Sequence, residues 1–299
     1  MRILFISATR IGDAVLSTGL LDTLLRRHPD ARVTIACGPV AEGIFSRMPR
    51  LERILVIRKR RFDAHWLTLW GQAATTAWDL AVDLRGSALT FVLPVRRRAI
   101  MRGGRRPGHR LTHLAGTLGL SPPPLPVAWT DASDREMAAR LLPDGAPIIG
   151  LGPTANWSGK IWPPDRFVAV FEALRAGPLP GARAAVFAGP GDGERALAAP
   201  VLAALPDAID LAGRLTLPQA SACLARTRLF IGNDSGLMHM AAAAGAPTLG
   251  LFGPTPASEY APAGRHASAV LAEGPPGAAP MEALSVPAAL QAALRLVEA

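Results

Sequence analysis

The sequence predicts an α/β protein of two Rossmann-like domains, each a parallel sheet with helices on both faces. Three observations carry this. Short apolar runs fit for buried parallel strands alternate with stretches of helical periodicity. The alternation runs through two successive halves on one plan. Between the halves lies a proline-rich, non-periodic segment, SPPPLPVAWTDASD (121–134), which reads as the interdomain linker and sets the domains at 1–130 and 131–299.

In the first half, RILFIS (2–7) is a short apolar strand, and the GDAVLSTGLLDTLLRR beyond it places Val15, Leu16, Leu20, Leu21, Leu24 and Leu25 at helical spacing. ARVTIAC, RILVI (53–57) and DLAVDL (79–84) are further strands, joined by helix-compatible segments. PIIGLG (147–152) opens the second half. Helix DRFVAVFEALRA, strand ARAAVFAG, helices GERALAAPVLAAL and LPQASACLA, strand RLFIG, helix GLMHMAAAA and strand PTLGLFG follow in order. The closing VPAALQAALRLVEA is a helix with the option of packing back onto the first domain.

At 299 residues, with 49% apolar and 18% charged residues, the chain has the composition of a globular protein with a sizeable core, which excludes a disordered one. The opening MRILFISATRIGDAVL does not read as a signal peptide, because its apolar run stops at Arg10 and Asp13 follows. The longest charge-free stretch starts at Ser235. It is broken by Gly245, Pro247, Gly253 and Pro254, and so reads as helix plus buried strand, not as a membrane span. A cytoplasmic protein without a transmembrane segment is expected. Cys37 and Cys223 match neither a metal spacing nor a redox pair and are expected in the core. The net charge of +9 is unevenly placed: residues 1–130 hold 20 Lys+Arg against 8 Asp+Glu, residues 131–299 hold 12 against 15.

Ligands bind such sheets at the carboxyl ends of the strands. That singles out SATRIGDA, GPTANWSGKIWP and GNDSGLMH, which two domains facing across a cleft would bring together. In the last of these the strand ends at Gly232 and a helix begins behind Asp234 or Ser235 as N-cap. The free N–H groups of its first turn, near Gly236 and Leu237, attract phosphate. His239, one turn further, suits ligand contact or the core equally; Met238 and Met240 read as core. Lys160, with Lys59 one of only two lysines, lies in a Gly/Ser/Thr-rich loop where an ammonium can reach a diphosphate as a point charge. Thr154 and Ser158 can donate hydroxyls there or merely shape turns. Asp13, beyond the first strand, is either a helix N-cap or a base. The chain has no Asp-x-Asp pair and its six histidines are scattered, so no metal or cofactor is expected and protein groups must meet any diphosphate charge.

RIGDAVLSTGLLDTL, GPTANWSGKIWPPDRFVAV and IGNDSGLMHMAAAAGAPTLGLFGPT, in this order along the whole chain, resemble the ADP-heptose:lipopolysaccharide heptosyltransferases of glycosyltransferase family 9. The resemblance implies a GT-B fold with the acceptor on the N-terminal domain and the nucleotide-sugar on the C-terminal one. It implies metal-independent, inverting transfer of heptose or a related sugar from ADP-heptose to a lipopolysaccharide core acceptor. Asp13 would then be the general base and Lys160 the group that binds the leaving diphosphate. Thr154, Ser158, Asp234, Ser235, Gly236, Leu237 and His239 would line the donor. A ribose-contacting acid follows a C-domain strand in the family; here AGPGDGER supplies Asp192 and Glu194, and neither aligns cleanly. Arg10, Arg58, Arg60 and Arg61 are expected at an anionic, lipid-linked saccharide acceptor. Peripheral contact with the inner membrane surface, no nucleic acid and a monomer complete the expected partners.

Two rival readings share these residues. GLGPTA (150–155) fits the G-x-G-x-x-A of an NAD-dependent oxidoreductase, but Pro163 and Pro164 prevent the glycines from opening directly into a helix. RKRR (58–61), RRR (96–98) and RGGRRPGHR (102–110) suggest a polyanion or nucleic-acid binder, with no nucleic-acid fold signature beside them. An anionic lipopolysaccharide precursor accounts for the same charge and for its confinement to one half.

Overall fold

The computed structural model describes residues 1–59, 61–102 and 107–298. They divide into two units, Met1–Trp129 and Thr130–Ala299.

The first unit contains β1 (Arg2–Ile6), α1 (Ile11–Arg27), β2 (Arg32–Cys37), α2 (Glu42–Phe45), β3 (Leu51–Val56), α3 (His65–Ala73), β4 (Trp78–Asp83), β5 (Val95–Ile100) and α4 (Arg110–Gly116). Its strands are all parallel, in the order β3-β2-β1-β4-β5. The order reverses between β1 and β4, and in parallel sheets such a reversal is where ligands bind, at the carboxyl ends of the strands. Leu4, Ile6, Ala36, Leu55, Leu69, Ala73 and Trp78 form a core between α3 and one face of the sheet. The proline-rich segment is packed onto α1. The Val127 N–H donates to Thr18 Oγ1 at 2.8 Å, and a Cβ on Gly19 would stand 2.4 Å from the Leu125 carbonyl oxygen. The last residues read as linker, Asp131 to Asp134, instead make a reciprocal capping box that starts the next helix.

The second unit contains α5 (Ala132–Leu141), β6 (Ile148–Gly152), α6 (Pro164–Ala176), β7 (Arg183–Val186), α7 (Asp192–Ala204), β8 (Ile209–Asp210), α8 (Leu217–Leu224), β9 (Leu229–Asn233), α9 (Gly236–Ala243), β10 (Thr248–Phe252), α10 (Ala257–Tyr260), β11 (Ala267–Leu271) and α11 (Val286–Glu298). Six parallel strands run β11-β10-β9-β6-β7-β8, and the order reverses between β6 and β9. Pro164 opens α6 at its first position, where a missing N–H costs nothing. The terminal α11 buries Ala289, Ala292, Ala293, Leu296 and Val297, and packs on α6, β10 and β11 of its own unit. Among the described residues no helix is long and apolar enough to cross a membrane. Both cysteines are buried, as the sequence suggests. Burial pushes the Cys37 thiol up to about 12 and that of Cys223 to about 11.

At the reversal point glycine meets glycine: Gly152 stands opposite Gly232 in the β6–β9 register. The cause is the fully buried ring of Phe230, which folds across the strands. A Cβ on either Gly152 or Gly232 would lie 2.6 Å from that ring. The Gly232→Ala variant is therefore expected to lose about 1–3 kcal/mol of stability through overpacking, read as a lowered melting temperature. An unchanged melt would mean that the ring moves aside freely.

Candidate active site

In the second unit three loops meet at one carboxylate. Lys160, at the end of a 3₁₀ turn (Ser158–Lys160) in the loop after β6, donates from Nζ to Asp234 Oδ2 at 2.6 Å. The same oxygen accepts from Thr255 Oγ1 at 2.8 Å, in the loop after β10. Asp234 itself follows β9, and its N–H donates to the Leu251 carbonyl at the end of β10. The residue before it, Asn233, accepts the Trp162 N–H on Oδ1 at 3.1 Å; Trp162 in turn donates from Nε1 to the Leu284 carbonyl at 2.9 Å. Charge and hydrogen bonding thus fix the loops at the sheet reversal.

Ser235, not Asp234, is the N-cap of α9, and its side chain makes no capping bond. Its Oγ is a buried atom without a hydrogen-bond partner among the described residues, as is Asn233 Nδ2. The N–H groups of Gly236, Leu237 and Met238 have no intrahelical acceptor by helix geometry. Two buried polar atoms and three backbone donors thus flank Asp234, the residue that holds the Lys160 ammonium, a set of donors of the kind that suits oxyanions. Lys160 has three donors and gives one to Asp234. Thr154 is buried at the base of this loop and Ser158 is exposed on it. His239, with Met238 and Met240, lies buried in α9. Asp192 is the exposed first residue of α7, whereas Glu194 accepts the Gly189 N–H at 3.1 Å and closes the turn after β7.

In the first unit Arg10, exposed, occupies the N-cap position of α1, so the N-cap alternative for Asp13 is corrected: Asp13 is the third helical residue. Its Oδ1 lies 3.4 Å from Arg110 Nε, an ion pair with both side chains about one quarter exposed. Arg110 starts α4 behind His109, whose Nδ1 accepts the Leu111 N–H. Arg58 and Arg61 are exposed beyond β3; Arg60 lies outside the described residues. One feature at the end of β4 escapes the sequence reading. Asp83, fully buried, accepts from the N–H groups of Arg85 and Ser87 and from Ser87 Oγ. The turn so formed holds the Arg85 guanidinium over the Trp66 ring, 5.0 Å from its centroid.

Two Rossmann-order units in one chain, one with the Lys160–Asp234 junction at its strand reversal and the other with the Asp13–Arg110 pair beyond its first strand, have the architecture of the GT-B class. The description of glycosyltransferase family 9 (heptosyltransferase) matches residues 106–281. Lipopolysaccharide heptosyltransferase 2 of Salmonella typhimurium is 26% identical, over 91% of this chain and 88% of that protein. The crystal structure of a family 9 glycosyl transferase from Veillonella parvula superposes with a TM-score of 0.82 at 21% identity, covering 99% of this chain and 97% of that one. The E. coli ADP-heptose lps heptosyltransferase II gives 0.80 at 19% identity, covering 100% and 99%. The chain belongs to glycosyltransferase family 9 and is a glycosyltransferase.

Proposed function

We propose that the protein transfers a heptose, or a related sugar, from ADP-heptose to an anionic, lipid-linked lipopolysaccharide core acceptor, with inversion and without a metal ion. It acts as a cytoplasmic monomer at the inner membrane surface. The observation that carries the donor half of this reading is the convergence of Lys160, Ser235 and the α9 N-terminus at the β6–β9 reversal. The donor diphosphate lies there, with Thr154 and Ser158 beside it and Asp192 as the candidate ribose contact; Glu194, committed to Gly189, shapes the turn. Arg10, Arg58 and Arg61 take the anionic acceptor. The names of the relatives supply the sugar and the acceptor class.

Chemically, the acceptor oxygen bonds to the anomeric carbon from the face opposite the diphosphate while its proton passes to Asp13. The carbon–oxygen bond to the diphosphate breaks, and its electron pair leaves on the diphosphate oxygen. That growing charge is what the Lys160 ammonium and the α9 N–H groups stabilise. A thermal-shift panel tests the donor assignment. ADP at a hundred times its Kd is expected to stabilise by about 2.7 kcal/mol, UDP and GDP by less, and NAD by least. Stronger stabilisation by NAD than by ADP would overturn the reading in favour of an oxidoreductase.

A further inference from the structure

Helix α3 has the wrong outer face for a surface helix. Its buried stripe is His65, Leu69 and Ala73, spaced four apart. The opposite side should be charged or polar. Instead HWLTLWGQA has no acidic or basic residue apart from the buried His65, and it turns Leu67 (73% exposed) and Trp70 (43%) outward. Trp70 Nε1 donates to the Val92 carbonyl at 3.2 Å, which joins the helix to a second outward pair, Phe91 (67%) and Val92 (65%). Phe62, just before α3, is 95% exposed and is held in the left-handed region at φ 54°, a conformation unusual for an aromatic residue. Exposed large apolar residues elsewhere are scattered singly; these five fall within 31 residues of sequence.

The cations around this patch identify what covers it. The Arg61 guanidinium lies over the Phe62 ring, 5.6 Å from its centroid. Arg98 donates to the carbonyls of Thr90 and Leu93, so its charge sits beneath the turn that carries Phe91 and Val92. Arg58 and Lys59 precede the patch in the chain and are exposed. Apolar and aromatic side chains with Arg61 and Arg98 at their margin match an interface whose surface is anionic and whose interior is hydrocarbon. We propose that the outer face of α3, with Phe62 and the Phe91–Val92 turn, is the surface by which the protein sits on an anionic lipid bilayer. This deepens the reading of a lipid-linked acceptor and rests on it.

The test is co-sedimentation of the full chain with vesicles of phosphatidylcholine, with and without 30% phosphatidylglycerol as probe. Binding to the anionic vesicles is expected, at least tenfold weaker to pure phosphatidylcholine and weakened by 0.5 M salt. The variant Phe62→Ser/Leu67→Ser/Phe91→Ser is expected to lose at least tenfold in vesicle binding while keeping its melting profile and its turnover on a deacylated, water-soluble acceptor. Wild-type vesicle binding by this variant, or a concentration-dependent dimer that the variant abolishes, would overturn the proposal. Turnover on the soluble acceptor tests the transferase reading separately, since that assay contains no bilayer.

Discussion

Turnover is expected to fall by about 10²- to 10⁴-fold in the Asp13→Asn variant, the range that general base catalysis contributes. A sugar hydroxyl is a poor nucleophile until its proton begins to leave, and amide nitrogen and oxygen cannot take that proton. The substitution keeps the size of the side chain. Its structural cost is bounded by what Asp13 does in the fold. As the third residue of α1 it meets the positive end of the helix, an effect of about 0.3–1 kcal/mol. Its ion pair with Arg110 is partly exposed and adds about 0–1 kcal/mol. The variant should therefore fold, melt within a few degrees of the parent and bind ADP normally. Near-parental kcat in such a folded variant, measured with a competent donor and acceptor, removes Asp13 from the chemistry.

The second large effect belongs to Lys160, where two consequences must be separated. Lys160→Ala is expected to lose the proposed charge-assisted contact to the diphosphate, worth about 1.5–3 kcal/mol, or roughly 10- to 150-fold in ADP affinity. It also leaves the buried Asp234 carboxylate with Thr255 as its remaining side-chain donor, so stability should fall as well. The double variant Lys160→Ala/Asp234→Asn removes the orphaned charge. Stability should recover in it while ADP affinity stays low, and Asp234→Asn alone should bind ADP within a few-fold of the parent. If the double variant regains ADP affinity together with stability, Lys160 serves the fold and not the phosphate.

The sequence reading found every inner strand and one edge strand, β3, whose LERILV keeps an apolar run, and missed three others. β5, β8 and β11 are all edge strands. An inner parallel strand is covered on both faces and reads as an unbroken apolar run, as in IIGLG of β6. An edge strand has one paired side and needs less apolar surface. Val-Arg-Arg-Arg-Ala-Ile of β5 therefore reads as a basic cluster, although Arg98 uses its charge to clasp the 90–93 turn. β8 is two residues long, and β11 is half exposed.

At the candidate site, Lys160, Asp234 and Ser235 are legible because glycine, proline and hydroxyl residues mark their loops. Their mutual contact is not, because 74 residues separate Lys160 from Asp234. Arg110 as partner of Asp13, and Thr255 as partner of Asp234, were hidden in a basic stretch and in a proline-flanked loop. Asp83 looks like one more apolar-strand terminus until the turn it holds is seen.

The ring of Phe230 makes Gly150, Gly152 and Gly232 a set that cannot vary residue by residue, since a Cβ at each would meet that one side chain within 2.9 Å. Natural drift at these places should be conditional: an alanine becomes admissible only after the aromatic has shrunk, and the smaller side chain leaves a void until the alanine arrives. Each first step is penalised and the pair of steps is not, a coupling that neighbouring core positions commonly show at about 0.5–3 kcal/mol. The phenylalanine and its glycines should therefore be inherited together or exchanged together, and the strands beneath the candidate-site loops should change more slowly than the loops themselves.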